Sequence, residues 1–122
     1  MHGIFWGRSS HSNIRISIYY DDPRIGLYAY VRKELARMRA DKENYTVIGD
    51  GMTTVDGRRA YAITYLGAKV EDRVITSRKV YVEAPKNQLF ILTASAEESE
   101  WDANVDIMDS SISTFHIKTD AP

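Results

Sequence analysis

Ser95 is the first residue to test for chemistry. It stands in "KNQLFILTASAEESEWD" (86–102), where a strongly apolar run passes through small residues into acids and a tryptophan. A catalytic serine needs a base within hydrogen-bond reach and donors for a developing oxyanion. "TASAE" lacks the Gly-x-Ser-x-Gly elbow that strains and exposes such a nucleophile. The same stretch has a structural use: Ser99 is placed to cap a helix, with Glu100 and Asp102 in its positively polarised first turn. Ser95 is therefore expected at a strand-to-helix junction.

The other reactive residue types are dispersed. His2, His11 and His116 lie near the two ends, without His-x-His or His-x-x-x-His spacing. Gly49, Gly51 and Gly57 precede no Gly-Lys-Ser/Thr and no helix, so they read as turn residues rather than a phosphate loop. Asp21, Asp22, Asp50 and Asp56 also fall in expected turns, and no two stand out as a glycosidase-type pair. The chain has no cysteine, which excludes disulfides, thiol catalysis and cysteine metal sites. We expect no catalytic residue, no metal and no cofactor.

Eight tyrosines and two tryptophans are interleaved with Arg15, Arg58, Arg59, Arg73, Arg78 and Lys79. Strand alternation gives Arg59, Tyr61 and Tyr65 one parity, and Arg73, Lys79 and Tyr81 another. If helices leave part of the sheet open, one such set forms a basic, aromatic surface for a protein partner or a small ligand. The simpler use of these tyrosines is to fill a sheet.

Elements must position these residues. "NIRISIYY" (13–20) alternates as a half-buried strand. Asp22 and Pro23 then suit the cap and first position of a helix over 23–40. In it Tyr28, Val31, Leu35 and Met38 form the apolar stripe, with Arg32, Lys33, Arg37 and Arg39 opposite. "YTVIG" reads as a short strand ending at Gly49-Asp50-Gly51, and Asp56-Gly57 as a type I′ hairpin turn. Strands follow over 58–66 and 73–84, the second stopped by Pro85. In 88–95, Leu89 and Ile91 share one face and Phe90 and Leu92 the other, as in a strand covered on both sides. Trp101, Val105, Met108, Ile112 and Phe115 step by four, three, four and three, which predicts a helix over 99–115. The order predicts an α+β fold, one antiparallel sheet with a helix on each face.

At 122 residues the chain suits a single domain over 1–122, with 1–12 and 117–122 expected to fray. Sixteen basic against seventeen acidic residues leave a net charge of −1, so no global field favours nucleic acid. No apolar run reaches the roughly 18–20 residues that span a bilayer, so membrane insertion by this chain is not expected. The opening "MHGIFWGRSSHS" shows no charged stretch followed by an apolar one, and strand-like Ile4-Phe5-Trp6 comes almost at once. A trimmed or processed chain, with any export signal lost, is the expectation.

From Gly57-Arg58-Arg59-Ala60 onward the chain resembles the PsbP-like superfamily. The resemblance rests on that turn and strand, on Lys79-Val80-Tyr81-Val82, and on an apolar strand closing in Leu92-Thr93-Ala94-Ser95-Ala96. A final helix ending Ile112-x-x-Phe115 and the early helix at 23–40 complete it. The superfamily includes the extrinsic photosystem II protein, a nuclear Ran-binding protein and many small bacterial exported or lipoprotein domains. The resemblance covers about ninety residues, mostly core and turn positions. It implies an α-β-α sandwich acting as a non-enzymatic binding or assembly module, outside the cytoplasm in bacteria. Two alternatives stay open: a small hydrolase or lyase with a site assembled from dispersed carboxylate, histidine and tyrosine residues, and a carrier with a tyrosine-lined cleft.

Overall fold

The computed structural model describes residues 2–8, 15–21, 25–67, 71–85 and 88–114. Six strands, β1 (His2–Arg8), β2 (Arg15–Asp21), β3 (Tyr45–Val55), β4 (Arg58–Gly67), β5 (Ile75–Ala84) and β6 (Gln88–Glu97), form one sheet in the order β1-β2-β6-β5-β4-β3. Every pairing is antiparallel. Helix α1 (Leu27–Ala40) packs on one face and α2 (Glu98–Ser113) on the other. The α+β fold is the expected one. Residues 2–8 form β1 and pair with β2, consistent with the strand propensity of Ile4-Phe5-Trp6. Residues 9–12 and 117–122 lie outside the described residues.

The interior position of β6 follows from its two apolar faces. Leu89, Ile91, Ile63 and Tyr81 pack beneath α1 with Leu27, Val31 and Met38. Leu92, Val80, Val82 and Ala94 pack beneath α2 with Trp101 and Ile112, and Phe90 joins them partly buried. A strand with both sides dry must have neighbours on both edges, and β6 lies between β2 and β5.

Both helices begin elsewhere than predicted. Helix α1 starts at Leu27, capped by Gly26 in an extended conformation (φ −66°, ψ 163°) without a side-chain hydrogen bond. Asp22 and Pro23 lie outside the described residues. Leu27 takes the buried place expected for Tyr28, which is 36% exposed. Strand β6 runs on to Glu97, opposite Ile75, and the Glu98 amide donates to the Val74 carbonyl at 2.8 Å. That bond seats the chain before Ser99 is reached, so Ser99 lies inside the first turn and Glu97 is the cap residue. Phe115, the last member of the predicted stripe, lies outside the described residues.

Strand β3 is longer than predicted. It passes through Gly49 and Gly51 to Val55, with a bulge at Ile48 between the pairs Val47–Tyr65 and Gly49–Thr64. The glycines are strand residues, whereas the Asp56-Gly57 turn forms as expected with positive φ at both positions, 55° and 69°. Gly57→Ala should therefore cost about 1–2 kcal/mol, the strain of an L-residue in that region. A urea midpoint that does not move would refute this.

Candidate functional site

Helix α1 spreads over β3, β4 and β5, whereas α2 lies over β6 and β5. On the α2 side, β3 and β4 lie beyond the main contacts of α2, although Val55 and Ala60 at their hairpin end share a core cluster with Trp101 and Ile112. A groove of about 480 Å³ opens there, between β3 and the C-terminal half of α2.

Its floor is set by register. Gly49 pairs with Thr64, and Thr64 with Arg78; Gly51 pairs with Ala62, and Ala62 with Val80. These two rows cross the groove, with Val55 and Ile112 adding apolar surface. Neither glycine has a positive φ, and among the described residues a Cβ on either would meet no atom within 4 Å. Glycine inside a strand costs roughly 0.5–1 kcal/mol relative to alanine. Neither backbone conformation nor crowding calls for it here. Its effect is open space over the strand, the arrangement that lets another group approach the backbone closely.

Arg78 crosses the groove and ties its walls together. Its Nε donates to Thr64 Oγ1 at 3.1 Å, its Nη1 bonds Asp109 of α2, and its guanidinium stands 5.5 Å from the Trp101 ring centre. The cation is thus already matched by a carboxylate and an aromatic face. The groove's other carboxylate is engaged on the opposite side of the sheet. Tyr61 Oη donates to Asp50 Oδ2 at 2.5 Å, and Arg39 stands 3.7 Å from Asp50 Oδ1. The hydrogen bond to Asp50, then burial, pushes the Tyr61 phenol up. Asp50 and Asp109 do not converge on a shared point, which a carboxylate pair working as acid and base requires.

The predicted partner-binding residues fall on the α1 face and do not form one surface. Tyr65 and Tyr81 are a correction: both are buried, at 8% and 0% exposure, because β4 and β5 turn that parity toward α1. Burial pushes both phenols up. Arg59 makes a two-pronged pair with Glu83, at 2.9 Å from Nη2 to each carboxylate oxygen. Arg73 stands 3.3 Å from Glu97, at the far end of the strands. Lys79 lies 5.9 Å from the Tyr65 ring centre. Tyr61 is half-buried against Asp50.

Ser95 is part of β6, facing Ser77 across the strands with 2.8 Å between hydroxyl oxygens. His2 belongs to β1, while His11 and His116 lie outside the described residues. Sequence reasoning took Gly49 and Gly51 for turn residues, counted Arg78 only among the dispersed cations, and missed Asp109. Two glycines at the strand period were the available signal.

No protein-family model matches the sequence, and no curated protein matches it. Solved structures do. PA94 from Pseudomonas aeruginosa, a protein of unknown function proposed to be a regulator, superposes with a TM-score of 0.78 at 14% identity, over 97% of this chain and 83% of that one. Cyanobacterial PsbP (CyanoP) from Synechocystis gives 0.55 at 17% identity, over 96% and 81%. LpqN of Mycobacterium tuberculosis, involved in cell envelope biogenesis, gives 0.56 at 15% identity, over 88% and 73%. Strand order, the two helix layers and these superpositions agree: the chain carries the PsbP-like fold.

Proposed function

We propose that the chain is a non-enzymatic binding or assembly module of an exported, envelope-associated protein, and that the groove between β3 and α2 receives its partner. The observation that carries this reading is the pair Gly49 and Gly51, which leave space over β3 that none of the described residues fills. The divided carboxylates support binding over hydrolysis, since each already has its own cation. LpqN's involvement in cell envelope biogenesis supports the envelope setting.

A displayed random-peptide library, selected on the immobilised chain, tests the reading. Selected peptides should lose binding to Gly51→Leu, which fills the groove, while binding survives Arg59→Glu on the other face. Peptides indifferent to Gly51→Leu would sink it. So would hydrolysis of a chromogenic ester, phosphate or glycoside that Asp109→Asn abolishes.

A further inference from the structure

We propose that the open edge of β3 takes up an extended segment of a partner protein as an added strand, with Lys or Arg at alternate positions lying across the groove toward α2. This rests on the groove being the binding site and names what enters it.

Strand β3 ends the sheet, and among the described residues nothing pairs with its outer side. From Gly49 to Val55 its ladder with β4 is regular, so alternate residues turn both N–H and C=O outward in the pattern an antiparallel strand requires. Edges that must stay unpaired are usually protected by Lys, by Pro or by a covering element. "YTVIGDGMTTV" contains neither residue, and the bulge at Ile48 blunts one end only. Main-chain pairing of this kind supplies affinity, and side chains of alternate parity supply specificity.

Charge identifies the occupant. Helix α2 carries Glu98, Glu100, Asp102, Asp106 and Asp109, and no cation. Asp102, Asp106, Asp109 and Ser113 recur at spacings of four, three and four, which sets them on one helix face. Asp109 and Ser113 line the groove, Asp109 already bonded to Arg78, and the acidic stripe runs on from there along α2 through Asp106 and Asp102. Lys or Arg stems crossing Gly49 and Gly51 would cover the apolar floor while their cations meet the stripe. Gly49 and Gly51 are what let those stems lie flat.

A second copy of the chain fits poorly. The groove-facing residues of β3 are Gly49, Gly51, Thr53 and Val55, which bring no cation to the stripe. A twofold β3–β3 pairing also places both α1 helices on one side of the joined sheet. Each bears Arg32, Lys33, Arg37 and Arg39 against Glu34 on the helix and Asp50 beside Arg39, a net positive face.

The test uses fluorescein-labelled, acetylated octapeptides of sequence Thr-Lys-Val-Lys-Val-Lys-Val-Thr, read by anisotropy against the full chain. Exchange of Lys for Glu, or N-methylation of alternate backbone amides, should weaken binding at least about tenfold. Asp106→Lys, an exposed change that leaves the core alone, should do the same. Amide exchange should slow at outward-facing positions between Gly49 and Val55. Peptides that need Gly51 yet tolerate both N-methylation and Glu would overturn the strand addition and leave the groove reading standing. No binding that senses Gly51 would overturn both.

Discussion

Leu92→Ala lowers the unfolding free energy by about 2–5 kcal/mol, the cost of a truncated core side chain plus the cavity it leaves. Leu92 is fully buried in β6, opposite Val80 on one side and Ile18 on the other, beneath α2. Strands on both edges and a helix above leave little freedom to collapse into the gap, so the upper part of that range applies. Ile107→Ala, at a residue 50% exposed on α2, should change stability by less than about 0.5 kcal/mol. Urea denaturation of the two variants measures the contrast. Equal midpoints would mean that β6 is not the centre of the core.

The second large effect is a loss of stability in alkali. Tyr81 is fully buried, and burial, followed by the nearby Glu34 carboxylate, raises its phenol far above the usual value. Its hydroxyl donates to Glu34 Oε2 at 3.4 Å, while Arg37 holds the same carboxylate at 2.9 Å. Glu34, and then Tyr45, in turn keep the Arg37 guanidinium charged. The folded chain keeps the Tyr81 proton at a pH where the unfolded chain releases it. Stability is therefore intact below about pH 10 and falls as pH rises beyond it, by up to about 1.4 kcal/mol per pH unit for one such group. Tyr65, raised chiefly by burial, adds in the same direction. Between pH 9 and pH 11 the unfolding free energy should drop by about 1–3 kcal/mol. Tyr81→Phe should flatten that slope. An unchanged slope in the variant would assign the alkaline loss to other groups.

Much of the architecture is readable from side-chain period alone. Leu89 to Leu92 state that β6 is covered twice, and Asp56-Gly57 states its hairpin, because local pattern decides both. What period cannot report is which face of a strand a distant helix will cover. Arg59, Tyr61 and Tyr65 share a parity as expected, but that parity meets α1, so Tyr65 and Tyr81 became core. Gly49 and Gly51 misled for a related reason. Glycine usually marks a turn, and only the register with β4 shows these two to be the floor of a groove. The groove itself depends on α2 lying mainly over β5 and β6, a choice of packing partner that no local stretch encodes.

The bulge at Ile48 has a bearing on solubility. An edge strand long and regular enough to accept a partner can also template stacking of unrelated chains. The ladder of β3 is regular only from Gly49 to Val55, bounded by the bulge at one end and the Asp56-Gly57 turn at the other. That leaves a berth of about 23 Å at the usual rise of a strand. Ile48 itself is 54% exposed and faces no residue of β4, so the fold gains little packing from it. Its value lies in interruption: it shortens the exposed edge and gives an incoming strand one place to begin. Deleting Ile48 would join both halves into an unbroken ladder, and the cost would surface as fibrils and misregistered complexes rather than as a lower melting temperature.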